Sequence, residues 1–209
     1  MREEKARKLA EVAERVRVCR KCGLWREAMQ GVPGEGDPEA EVMFIGEGPG
    51  FNEDRSGRPF VGQAGKLLEQ LLSTIGVQRR KVFIANVVKH RPPNNRDPLP
   101  VEMEACGAYL DEQIRVIEPR VIVTFGRFSL NKFLPGEYIS QVHGLARYVN
   151  WKGRKITVLP MYHPAAALRN GAAMIQLRQD FKKIPGLLGG KVNLAEEEKK
   201  QGSEQLNLC

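Results

Sequence analysis

A chain of 209 residues has room for one domain with a sizeable core and little for a second. Its composition, 42% hydrophobic and 28% charged, excludes a wholly unfolded chain, and no apolar run approaches the roughly 20 residues of a membrane helix. The net charge of +8 favours a polyanionic partner, with nucleic acid first, although no basic block of about five or six residues makes a cationic tail.

The charged start (Arg2, Glu3, Glu4, Lys5) reads against a signal peptide, so a cytoplasmic protein with reduced thiols is expected. The spacing of Ala6, Leu9, Val12 and Val16 predicts an amphipathic helix over 3–18. Cys19 and Cys22 follow it as C-R-K-C, which in a reducing compartment points to metal, cluster or redox chemistry. A breaker-rich loop at 31–36 precedes a short apolar strand at 41–45 that runs into Gly46-Glu47-Gly48-Pro49-Gly50. A helix over 62–76 buries Leu67, Leu68, Leu71 and Leu72. The β-branched run 81–88 is typical of a buried parallel strand and leads into a Pro/Asn-rich loop at 91–100. A helix over 101–117, a strand over 120–125 and a helix near 126–133 come next. Segments 145–151 and 155–161 read as hairpin arms with Gly153 in the turn, and a last helix runs from Ala172 to before Pro185. From Asn193 the chain is polar, so a domain over 1–190 and a disordered tail over 191–209 are expected.

Strands alternating with helices predict an α/β fold, with a mostly parallel sheet and helices on both faces. Ligands bind such folds at the carboxyl ends of the strands. The three unusual loops, at 46–50, 89–96 and 162–170, each follow a strand, which predicts that they form one site. The first is not a dinucleotide fingerprint, because its glycine spacing fails. It is either a tight loop that admits another molecule closely or an ordinary strand-to-helix turn. His163, held between a strand and Pro164, would alone read as a buried core histidine. Asn86 and Glu47 at neighbouring strand ends favour chemistry instead.

At this point four motifs, in order, carry a resemblance. They are G-E-G-P-G with Glu53-Asp54, then Gly57-Arg58-Pro59-Phe60-Val61-Gly62, then Asn86-Val87-Val88-Lys89-x-Arg91-Pro92-Pro93-x-Asn95-Arg96, then His163-Pro164-Ala165. From about Val16 to about Leu187 the chain resembles family 4 uracil-DNA glycosylase, the iron–sulfur type. The resemblance implies a three-layer α/β/α sandwich around a four-stranded parallel sheet. It also implies a monofunctional enzyme, a monomer, that hydrolyses the N-glycosidic bond of deoxyuridine in single- or double-stranded DNA.

Carried onto this chain, the resemblance has Phe60 stacking on an extruded uracil and Asn86 reading its Watson–Crick edge. Glu53 blocks space beside C5, with Asn95 supporting it. His163 bonds O2 of the departing base, and Glu47 positions or deprotonates the attacking water. Gly48 lines the base site where the best-known uracil glycosylases have aspartate. Leu168 is the wedge that fills the vacated stack, and Arg169, Arg58, Arg91 and Arg96 hold phosphates.

The same resemblance implies a [4Fe–4S] cluster on four cysteines. Cys19, Cys22 and Cys106 match three of them, while position 90 is histidine in K-H-R-P-P. Either His90 is a ligand, as histidine is in Rieske centres, or only three cysteines bind, or Cys209 supplies the fourth. The first is the expectation taken forward. A DNA-crosslinking branch of these enzymes shares that histidine but needs a second, nucleophilic one in an extra loop. The loop at 91–100 holds none, so no covalent adduct is expected. Two alternatives stand beside the main reading: a non-catalytic nucleic-acid-binding module around a Cys₃His zinc or cluster site, and a broader family 5-like glycosylase.

Overall fold

A computed structural model describes residues 1–189; the expected tail, with Cys209, lies outside the described residues. The elements are α1 (Arg2–Arg17), β1 (Glu35–Gly36), β2 (Val42–Gly46), α2 (Phe51–Ser56), α3 (Gln63–Thr74), β3 (Phe83–Asn86), α4 (Pro100–Ile117) and β4 (Val121–Phe125). Then come α5 (Arg127–Phe133), α6 (Ile139–Val142), β5 (Arg147–Trp151), β6 (Arg154–Met161), α7 (Pro164–Ala167), α8 (Gly171–Phe181) and α9 (Ile184–Leu187). The expected elements appear in order, with β1 and the short helices α2, α6 and α7 added between them. Among the described residues no helix is long and apolar enough to cross a membrane.

The sheet has six strands in the order β1-β3-β2-β4-β6-β5, not the four expected. The inner four are parallel, and each edge carries an antiparallel addition: β1 on β3 and β5 on β6. β5 is one arm of the predicted hairpin. β1 is two residues long, so it has no period to read. Its pairing depends on Gly36 at φ 139°, where a Cβ would stand 1.9 Å from the carbonyl oxygen of Val82.

Every residue of β2 and β4 is buried, as expected of strands covered on both faces. Successive residues part to opposite sides. Val42 and Phe44 join Leu68, Leu177 and Phe181 beneath α3 and α8, while Met43 and Ile45 join Leu110, Ile114 and Ile122 beneath α4. Phe44, Phe125 and Phe181 pack against one another with ring centroids 5.6, 5.7 and 6.2 Å apart, a stiff aromatic floor under one layer. Deleting such a ring costs about 3–5 kcal/mol. Because β3, β2, β4 and β6 run parallel in one sheet, Gly46, Asn86 and Met161 all end on the same side. Register therefore gathers the three loops.

Candidate active site

Between the start of α2 and α7 lies a cavity of about 590 Å³ at the carboxyl ends of the strands. Glu47, Gly48, Glu53, Phe60, Asn86 and His163 all line it, as do Asn95, Arg96 and Arg169.

Glu53 organises one wall. Its Oε2 accepts from the Gly50 amide at 3.1 Å, and its Oε1 accepts from the amides of Val61 and Gly62, each at 2.9 Å. One carboxylate thus caps α2 and ties the glycine loop to the loop that carries Phe60. Phe60 sits at φ 51°, an uncommon conformation for a residue with a Cβ. Its neighbours hold it there. Arg79 donates to its carbonyl at 3.0 Å, and Gly65 leaves room for that carbonyl, since a Cβ there would lie 1.8 Å from it. The Phe60 ring then faces His163 at 5.7 Å and 27°.

Asn86 ends β3 and is 2% exposed, yet its Oδ1 has no hydrogen-bond partner. A buried unpaired acceptor costs about 1–3 kcal/mol unless something fills it. Gly46 makes space for it: a Cβ there would lie 2.4 Å from that oxygen and 2.8 Å from the Phe60 ring. From below, Lys89, wholly buried, donates through Nζ to the Asn86 carbonyl at 3.0 Å and to Gln113 Oε1 at 2.8 Å. Burial pushes that ammonium's pKa down to about 7. The sequence reading passed over Lys89; a lysine inside an apolar strand-end run is the signal that would have found it.

His163 caps α7. Its Nδ1 accepts from the Ala165 amide at 3.1 Å, so in the neutral ring the proton sits on Nε2. Burial lowers its pKa to about 4, against a smaller opposing pull from Glu53. The ring therefore stays neutral at ordinary pH and offers one N–H donor. Glu47 is shifted the other way: burial raises its pKa, Asp97 adds to the rise, and Arg127 opposes it. A Cβ at Gly48 would stand 2.7 Å from Val88 Cγ2, so an aspartate there would need Val88 to move.

Several expected contacts differ. Asn95 does not bond Glu53, whose oxygens are taken by backbone amides; its Oδ1 accepts from Arg91 Nε at 2.7 Å. Arg58 does not line the cavity and is held by both oxygens of Glu35, at 2.7 and 3.1 Å. Arg96 is paired with Glu102 at 2.7 Å, and Leu168 is 47% exposed beside the cavity.

Behind the cavity lie the free thiols of Cys19, Cys22 and Cys106. The charges of Cys22 and Cys19 both bear on Cys106, so the three are electrostatic neighbours. His90 is buried, and the charge that bears on its ring is Asp54. Among the described residues no three His, Cys, Asp or Glu side chains are disposed to hold a single metal ion. Ligands of an iron–sulfur cube bind its separate corners and stand further apart than the ligands of one ion, so neighbouring thiols of this kind fit a cluster in donor chemistry.

The family model of the uracil DNA glycosylase superfamily matches residues 33–184. A type-4 uracil-DNA glycosylase of Sulfurisphaera tokodaii is 52% identical over 182 residues, covering 84% of this chain and 83% of that protein. One of Saccharolobus solfataricus is 49% identical over 186 residues, 86% of each chain. A type-5 uracil-DNA glycosylase of Thermus thermophilus is 32% identical over 147 residues, covering 56% of this chain and 67% of that protein.

Proposed function

The chain belongs to the type-4 uracil-DNA glycosylases and removes uracil from DNA in repair, and we propose that it does so in the cavity between α2 and α7. One observation carries this reading. A neutral histidine whose free donor is Nε2–H and an asparagine with an unpaired buried acceptor line the same cavity.

Uracil leaves the stack and enters against Phe60, at an unstacking cost of a few kcal/mol. Asn86 Oδ1 accepts from uracil N3–H while its amide donates to O4. Cytosine has the reverse pattern and would leave both partners unpaired. Glu53, held rigid by three amides, is the wall beside C5 that excludes the thymine methyl. Water then attacks C1′ and passes its proton to Glu47, whose raised pKa makes it the stronger base. The C1′–N1 bond breaks, and its electron pair moves into the ring toward O2. There His163 Nε2–H stabilises the developing anion without having to surrender a full positive charge. Leu168 fills the vacated stack, and Arg169, Arg91 and Arg58 meet phosphates of single- or double-stranded DNA. Arg58 would first have to leave Glu35.

Cys19, Cys22 and Cys106, with His90 as fourth ligand, would hold a [4Fe–4S] cluster, a cross-link that joins the end of α1 to α4 and takes no part at the bond. The enzyme works as a monomer, and with no second nucleophilic histidine it forms no covalent adduct.

A uracil-release assay on a labelled oligonucleotide tests the reading. Asn86→Ala and His163→Ala are each expected to lose about 10²–10³-fold in rate, the range for removing one transition-state donor. Glu47→Ala should lose a comparable amount. Wild-type inactivity on every uracil substrate would overturn the reading, and an SDS-resistant shifted band would overturn the absence of an adduct.

A further inference from the structure

Phe51 is the first residue of α2, directly after the glycine loop, and is 53% exposed although the residues on either side of it line the cavity. An exposed phenylalanine costs solvation that a polar residue at a helix start would not. Two guanidiniums attend it, Arg91 at 5.3 Å and Arg55 at 5.6 Å from the ring centroid. Both stand over the ring, near the outer limit of about 6 Å for such a contact, and Phe51 remains 53% exposed beside them. Arg91 is braced, since its Nε donates to Asn95 Oδ1 at 2.7 Å. The cavity thus has an apolar side chain on each flank: Leu168 by α7 and Phe51 by α2.

We propose that Phe51, Arg55 and Arg91 form a stacking platform for an unpaired base next to the extruded nucleotide, with the two guanidiniums on the phosphates either side of that base. The inference rests on the reading of the cavity as the uracil site. The chemistry is that of a nucleic-acid strand: a π-face for a base, attended by two cations for the phosphates that run beside it. A paired base is already stacked on its neighbours and gains little from a second platform. The site therefore favours single-stranded DNA, or a strand frayed beside the lesion. Leu168 and Phe51 then divide the work. Leu168 fills the gap, and Phe51 keeps the neighbouring base from collapsing into it.

The test is fluorescence anisotropy of the full chain on a labelled single-stranded oligonucleotide with one 2′-fluoro-deoxyuridine, which resists cleavage. Stacking on an aromatic contributes about 1–3 kcal/mol per base, so Phe51→Ala should weaken binding by roughly 5- to 150-fold, and Phe51→Trp should restore it. Replacing both flanking nucleotides by abasic tetrahydrofuran units should make wild type and Phe51→Ala bind equally. Undiminished binding by Phe51→Ala on the intact strand overturns the platform. So does a loss of the same size with abasic flanks, because Phe51 would then act through α2 and not through a base. Failure of the uracil-site reading shows separately: wild type would release no uracil from the cleavable strand, whatever Phe51 does to binding.

Discussion

Around the cavity the polar side chains are held in place by the chain itself. Glu53 is fixed by three amides, His163 by Ala165, and the Asn86 carbonyl by a buried lysine. Around Cys19, Cys22 and Cys106 no disulfide ties the thiols, and burial pushes Cys106 up to about 11. The first region is organised before any ligand arrives, as electrostatic catalysis requires. The second keeps the Cys106 thiol protonated until something cationic joins it.

Removing the bracket of the first region should have the largest effect. Glu53→Ala leaves the Gly50, Val61 and Gly62 amides without their acceptor, which predicts a loss of about 2–4 kcal/mol in unfolding free energy. It also predicts at least about a hundredfold fall in uracil release, since misplaced walls cost that much. Glu53→Gln, which still accepts at one oxygen, should recover part of both. Equal melting of wild type and Glu53→Ala would show that the loops hold themselves.

The pH profile sharpens the comparison at intermediate size. His163 titrates at about 4 when folded and at its ordinary 6.5 when unfolded. Between those values the unfolded chain binds more protons, so the His163 contribution to stability falls as pH drops from 6.5 to 4 and is level above 6.5. Its neutral form persists through that window, so His163 does not set the acidic limb of kcat/KM. On the proposed mechanism Glu47 should set it, above the ordinary carboxylate value of 4.5, because its base form would be the one that takes the proton. Residual activity in Glu47→Gln should lack that limb; a limb near 6.5 that survives the substitution would reassign it.

The smallest effect on uracil release is expected at His90→Cys, which should keep absorption near 400 nm and lower the potential of the cluster, because thiolate replaces imidazole. Cys106→Ala should lose the absorption and lower the melting temperature. If His90→Ala keeps the full absorption per protein, His90 is not a ligand.

Local pattern made much of this legible. The leucines of α3 and the β-branched run of β3 state their elements by period, and three loops after three strands announce one site because parallel strands share an end. The partners of long-range side chains were not legible. Asn95 seemed available to Glu53 and instead braces Arg91, and Arg58 seemed free for phosphate yet sits on Glu35. The two-residue β1 was invisible because it has no period.

The sequence by itself determined the order of the motifs, the identity of the groups that can do chemistry, and the presence of three thiols and His90 at their spacing. These are properties of residue type and spacing, set along the chain. Only the tertiary structure decided which atoms are already spoken for. Nothing within a few residues of Phe60 says that its strained carbonyl rests on Gly65 and Arg79, or that Asn86 keeps one oxygen unpaired above a buried lysine. Hydrogen bonds saturate, and a group is open to a ligand only when every nearer partner has gone elsewhere, which is settled across the whole fold.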